Sequence, residues 1–401
     1  MKRALILLAL ATGVSGCATI KGWFNDSKSE NIEPPTVLVE FAPTINVQKL
    51  WSERVGKGAQ TTGARMTVAY ADGKLYAAST SGDVEALDAA TGHTLWSKHN
   101  GQGHGWIWHH GDNSVRWSGG PSVSGDLVVV GTLEGTVHAL AASDGTERWT
   151  VQLSSEVISA PAVSSDIVAV RTHDGRVFGL DARDGKRMWV FDHTTVPILS
   201  LRGNSSPIID SGIVYVGEDN GKVVAIRAND GGELWEQQIA PGEGRSEIER
   251  IQDVDGTIAF DRGVVYASGY RGQTAALIAQ SGRPLWTHEL SSFSGVALSA
   301  TKIFVSDADS SVWALELRTG SSEWRNEKLK YRWLSVPAVQ GEAVVVGDAE
   351  GFVHWLSIND GEFVARQQLS KDPIEGAPIV VDDVVYVMDI AGQIAAYRVG
   401  K

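Results

Sequence analysis

Three groups of residues in this 401-residue chain have types and spacings that could do chemistry. His104, His109, His110 and Asp112 lie close together, and imidazoles with a carboxylate are common zinc ligands. Their spacing is looser than that of paired ligands and no cysteine assists, so no metal is expected there. Trp106, Trp108 and Trp117 make the same stretch suit partner contact or loop packing. Asp253 and Asp255 are two residues apart and share one side of an extended segment. Paired acids can serve general acid–base catalysis or calcium binding, but both need a convergent third group. A solvated acidic edge is the expectation. Leu199 and Leu201 also share a side, and Arg202 follows at once. Apolar side chains beside a guanidinium belong to a protein contact rather than a reaction; an inner strand with buried leucines is the alternative. No Ser/His/Asp set, phosphate loop or zinc spacing stands out. No catalytic residue and no cofactor site is assigned.

The elements that must position these residues form a repeat. In the stretch Pro207 to Trp235, short β-branched and aromatic runs are separated by turns at Asp210-Ser211-Gly212, Asp219-Asn220-Gly221 and Asn229-Asp230-Gly231. Such runs read as antiparallel strands joined by tight hairpins, because Asn-Gly and Asp-Gly turns accept positive φ. Four strands make one small sheet, which cannot bury both faces alone. Its copies align on Trp51, Trp96, Trp149, Trp189, Trp235, Trp286 and Trp324, with Ala365 at the next equivalent position. The second turn recurs at Gly82, Gly135, Gly175, Gly221, Gly272, Ser310, Gly351 and Gly392, and the third at Gly92, Gly145, Gly185, Gly231, Gly282, Gly320 and Gly361. A period of roughly 40 to 45 residues with four strands per unit is the signature of a β-propeller.

The two ends set the blade count. After Gly392 there is room for a third strand only, while an orphan fourth strand surrounds Leu50-Trp51. The expected fold is therefore all-β: an eight-bladed propeller of four-stranded antiparallel blades over residues 47–401, its last blade closed by the N-terminal strand. Closure of this kind pairs two edges that would otherwise invite aggregation. Strands alternate up and down, so the hairpin after strand two and the connection to the next blade share one face. The connections after Trp96, Trp189 and Trp235 are long, and long loops commonly carry function. These three hold the residues singled out above. The Leu/Arg and Asp segments lead into neighbouring blades, which brings an apolar patch with an arginine anchor beside an acidic one.

Residues 1–16 read as a signal peptide: Lys2-Arg3, an apolar run from Ala4 to Leu10 too short to span a bilayer, then small residues up to Cys17. Cys17 is the only cysteine and resembles the lipidated cysteine of a bacterial lipobox. Ala18 after it, rather than Asp, implies the outer membrane. Residues 17–46 then form a lipidated N-terminus and flexible tether, with Pro34-Pro35 as a stiff point and Val37 to Phe41 able to pack on the ring. Cleavage removes the charges of Lys2 and Arg3 and takes the formal net charge from -13 to -15. That disfavours nucleic acid and anionic membrane as surface partners.

With these features in this order, the mature chain resembles the outer-membrane lipoprotein propellers of the β-barrel assembly (BAM) machinery. The resemblance rests on Cys17, Pro34-Pro35, the tryptophan-docked blades, the Leu-Ser-Leu-Arg-Gly run at 199–203 and the Asp-Val-Asp run at 253–255. It implies a non-enzymatic scaffold on the periplasmic face of a Gram-negative outer membrane, assisting insertion of β-barrel proteins. It also implies that Leu199, Leu201, Arg202, Asp253 and Asp255 bind BamA through its POTRA domains. Other BAM lipoproteins and unfolded outer-membrane clients are further candidate partners, the clients by strand addition at exposed edges. Ala365 and Ser310 depart from the repeat. The repeats also resemble those of pyrroloquinoline-quinone dehydrogenases, which implies the main alternative, a quinoprotein-like enzyme. That family uses an adjacent cysteine pair and a calcium site, and one cysteine cannot supply the pair. A periplasmic ligand-binding propeller, the third reading, needs a concave apolar pocket with convergent polar groups.

Overall fold

The structure is a computed structural model that describes residues 33–60, 62–100, 115–192, 201, 205–242 and 251–400. The chain divides into two units, Met1–Pro35 and Thr36–Lys401, and the strands belong to the second. They form eight four-stranded antiparallel sheets, seven of them contiguous in sequence. In the blade used above as the unit, Ile208–Asp210, Ile213–Gly217, Lys222–Arg227 and Glu233–Gln238 lie in that order. The closing blade is assembled from both ends. Val47–Arg54 pairs with Gln393–Val399, from Val47 opposite Val399 to Arg54 opposite Gln393. Val384–Met388 and Ile379–Val381 complete it.

The core lies between blades. Leu127, Val129, Val137 and Ala139 of the second blade, for example, pack on Val168, Val170, Phe178 and Leu180 of the third, all buried. Each sheet thus shares its apolar surface with a neighbour, which supplies the burial that one blade lacks.

The blade-closing tryptophans interlock the ring. The Trp189 Nε1–H donates to the Ala228 carbonyl of the next blade at 2.7 Å, and Trp235 does the same to Ala279 at 2.8 Å. The indole lies against the third-turn glycine of that blade: a Cβ on Gly231 would sit 2.8 Å from Trp189. With φ at 76° as well, only glycine fits the dock. Trp51, Trp96, Trp149, Trp286 and Trp324 donate to the following blade in the same way, to Ala89, Ala142, Ala182, Leu317 and Ile358.

Ala365 breaks this series for a topological reason. Its acceptor would be the third turn of the eighth blade, but the third and fourth strands there come from opposite ends of the sequence, so no turn joins them. The bulky residue has moved one strand inward: Trp355 pairs with Ala365, the mirror of Ala225 with Trp235. Trp355 is buried, donates to Gln340 Oε1 at 2.7 Å and meets Tyr397 of the closing blade edge-on with ring centroids 5.6 Å apart.

Residues ahead of the closing strand strap the seventh blade. Arg332 Nη1 donates to the Thr36 carbonyl at 2.9 Å and Arg366 Nη1 to the Val39 carbonyl at 3.0 Å. Phe41 stacks on Phe363 at 5.4 Å, and Arg366 lies over both rings. Packing within Val37 to Phe41 is therefore found at Leu38 and Phe41, while Val37 is exposed.

Candidate partner-docking face

The connections between blades and the hairpins after strand two are stitched together on one face. Tyr270 N–H, in the fifth blade's hairpin, donates to the Asp253 carbonyl of the connection before it at 2.7 Å. Ala308 to Ser291, Ala349 to Arg332 and Ile390 to Pro373 repeat the bond, each at 2.9 Å. The described end of the third long connection, at Asp253, lies on this face. Leu199, Arg202, His104, His109, His110 and Asp112 lie outside the described residues, as does Cys17. Among the described residues no group of three His, Cys, Asp or Glu side chains is disposed to hold a metal.

Leu201, Asp253 and Asp255 are described, and they converge. Leu201 donates its backbone N–H to Asp253 Oδ2, which ties the second long connection to the third. The Leu201 side chain remains 38% exposed. The acidic pair does not form a solvated edge, as the sequence suggested. Asp253, Val254 and Asp255 are all buried, because Val254 fills the space beside Gly217 and its N–H donates to the Glu218 carbonyl at 3.1 Å. Residue spacing alone could not tell that this segment is covered by other blades.

Burial of two carboxylates requires a cation, and Arg171 supplies it. Its guanidinium is buried, pairs with Asp219 through Nη2 and lies 3.9 Å from Asp255 Oδ1. Desolvation works against its charge, yet Asp219 and Asp255 outweigh that and raise its pKa. Asp253 is less well compensated. Burial, then the neighbouring Asp255, push its carboxyl up to about 8 in spite of the Leu201 N–H. Sequence reasoning missed Arg171, since an arginine ending a strand carries no mark of burial.

Of the two roles open to Trp117, partner contact or loop packing, the structure gives it the second, and Ser310 has a structural part as well. Trp117 is buried at the start of the strand Trp117–Ser124, edge-on to His138 at 4.8 Å, so it anchors packing. Ser310, the other departure from the repeat, adopts φ 68° where glycine is usual, and its Oγ accepts the Trp333 N–H at 2.9 Å. Trp333 is 59% exposed at the edge of a cavity of about 630 Å³ on this face, which Leu201 also lines.

Eight four-stranded antiparallel sheets closed into a ring by the N-terminal strand define an eight-bladed β-propeller. The comparisons agree. The family described as outer membrane protein assembly factor BamB matches residues 46–105, 81–326 and 324–400. The assembly factor BamB of Xanthomonas campestris is 41% identical over 100% of this chain and 98% of its own length. That of Pseudomonas aeruginosa is 40% identical over 98% of each. The crystal structure of BamB from Moraxella catarrhalis superposes with a TM-score of 0.78 at 28% identity, covering 88% of this chain and all of that one. The chain belongs to the outer membrane protein assembly factor BamB family. Quinohemoprotein alcohol dehydrogenase from Comamonas testosteroni, at 15% identity and a TM-score of 0.68 over 91% of this chain and 79% of its own, shares the fold alone. The enzyme reading is not favoured.

Proposed function

We propose that this chain is a lipid-anchored scaffold of outer-membrane protein assembly, held at the periplasmic face of the membrane through Cys17, which docks on the POTRA domains of BamA. Leu199, Leu201 and Arg202 make the contact. Asp253 and Asp255 act from behind it as buried groups: Asp253 fixes the contact segment, and Asp255 with Asp219 balances Arg171. The observation that supports this reading is the bond from Leu201 N–H to Asp253, which links two separate long connections beneath a half-exposed leucine. Family membership supplies the process, since the relatives are named outer membrane protein assembly factors. Lipidation raises the local concentration of the scaffold at its partner, so a weak contact is still occupied.

The test is Arg202→Glu in the lipidated full-length protein. BamA should no longer co-purify from detergent-solubilised membranes, while the urea unfolding midpoint stays at the wild-type value. Wild-type recovery of BamA would move the contact to another part of the ring.

A further inference from the structure

The segment Tyr331-Arg332-Trp333 is held in a conformation that its residue types disfavour. Tyr331 has φ 61° and Trp333 φ 53°, both in the left-handed region that bulky side chains rarely enter. Such strain persists only where surrounding structure over-determines it, and it clusters at functional sites. The surroundings here are specific. Arg332, between the two, is buried and donates to Asp348 Oδ2 at 2.8 Å and to Glu350. Tyr331 N–H donates to the Asp309 carbonyl at 2.9 Å and Trp333 N–H to Ser310 Oγ at 2.9 Å. All this fixes a tryptophan in water rather than in the core: Trp333 is the most exposed large aromatic among the described residues.

Trp333 stands over the cavity of about 630 Å³, whose wall also includes Leu201, Phe293, Tyr270 and Leu334. Its ring lies 6.0 Å from that of Phe293. The one cation among the described residues of this wall, Arg65, donates to the Phe293 carbonyl at 2.7 Å and is attracted to Glu375, so Asp309 and Glu375 together leave the wall net acidic. Rigid aromatic side chains at a cavity mouth are the usual hot spots of protein contacts.

We infer that this rim is a second anchor point for the partner proposed above, receiving an apolar side chain flanked by Lys or Arg on the partner's surface. Trp333 and Phe293 grip the apolar group, Asp309 and Glu375 face the flanking cations, and Ser310 is a positioning residue. The inference rests on the docking reading and extends that contact from Leu201 across the mouth of the cavity.

The experiment titrates purified BamA against the full-length protein and its variants in detergent. Trp333→Ala should weaken binding about tenfold or more, a hot-spot effect. Trp333→Phe should stay within about threefold of wild type, and Ser310→Ala and Asp309→Lys should each lower affinity severalfold. A photo-reactive phenylalanine analogue placed at 333 should cross-link to BamA, a readout that tolerates weakened folding. Unchanged affinity for Trp333→Ala with no cross-link, while Arg202→Glu loses binding, overturns the second anchor and leaves the docking reading standing. Loss with Trp333→Ala but not with Arg202→Glu keeps the rim and overturns the Leu/Arg segment. If neither variant matters, both fall. Displacement of a small apolar fluorophore from the cavity, with BamA affinity unaltered in Trp333→Ala, would make it a small-ligand site and reject the inference.

Discussion

Asp253 has two separable properties, an acceptor oxygen and a charge, and they predict different phenotypes. The oxygen holds the Leu201 N–H. Asp253→Ala removes it and strands a backbone donor, at about 1–3 kcal/mol, so it should lower both the urea midpoint and the affinity for BamA. Asp253→Asn keeps an acceptor of the same shape and should bind as wild type. The charge acts on stability instead. The folded carboxyl titrates near 8 because it is buried beside Asp255, with Asp219 adding to the repulsion and Arg171 only partly relieving it. An unfolded aspartate titrates at about 3.9. Between these values the folded protein keeps a proton that the unfolded chain has released. The contribution of this group is therefore complete below pH about 4 and is lost as pH rises towards 8, by up to about 1.4 kcal/mol per unit. Urea midpoints measured from pH 5 to 8 should show that slope in the wild type and a flatter one in Asp253→Asn. At this scale the sequence was only half legible. It located the two carboxylates, but burial depends on Gly217 and Arg171, which stand on other blades.

The strand-and-turn unit was legible almost throughout, because its punctuation is covalent. Asn-Gly and Asp-Gly turns mark the hairpins, and the third-turn glycines all take φ between 68° and 78°. The tryptophan register gave the docks as well, though not their acceptors, which lie one blade on. Ala365 shows the limit. A repeat average calls for tryptophan there, but the ring has no third turn at that seam to receive an indole, and Trp355 already fills the space opposite. Restoring the repeat residue should therefore do harm. Ala365→Trp is expected to destabilise by about 1–3 kcal/mol through overpacking. Trp189→Ala, at a normal dock, should cost about 3–5 kcal/mol for the lost indole and its cavity. Chemical denaturation of the two variants checks the pair. A stabilised Ala365→Trp would mean that the seventh seam is a damaged dock rather than a differently built one.

The ring closes beside the seam between the seventh and eighth blades, where no tryptophan dock is available and two other devices take over. One is strand pairing: Val47–Arg54 covers the edge of Gln393–Val399 along its length. The other is the strap, in which Thr36 and Val39 are held by Arg332 and Arg366 and Phe41 lies on Phe363. The strap belongs to the seventh blade and the strand to the eighth, so one continuous segment spans the seam. A truncation series separates their weights. A chain beginning at residue 36 keeps every one of these contacts and should unfold at the wild-type urea concentration. Beginning at residue 47 removes the strap, including the burial of Leu38 and Phe41, and should cost about 2–5 kcal/mol while the ring stays shut. Beginning at residue 55 also removes the closing strand. It bares a strand edge flanked by apolar side chains, so the outcome there should change in kind, from a lower midpoint to oligomers and aggregates on size exclusion. If the chain from 55 remained a cooperative monomer, the N-terminal strand would be an ornament on a ring that already closes with a three-stranded eighth blade, and the seam would not need the strap that Arg332 and Arg366 hold in place.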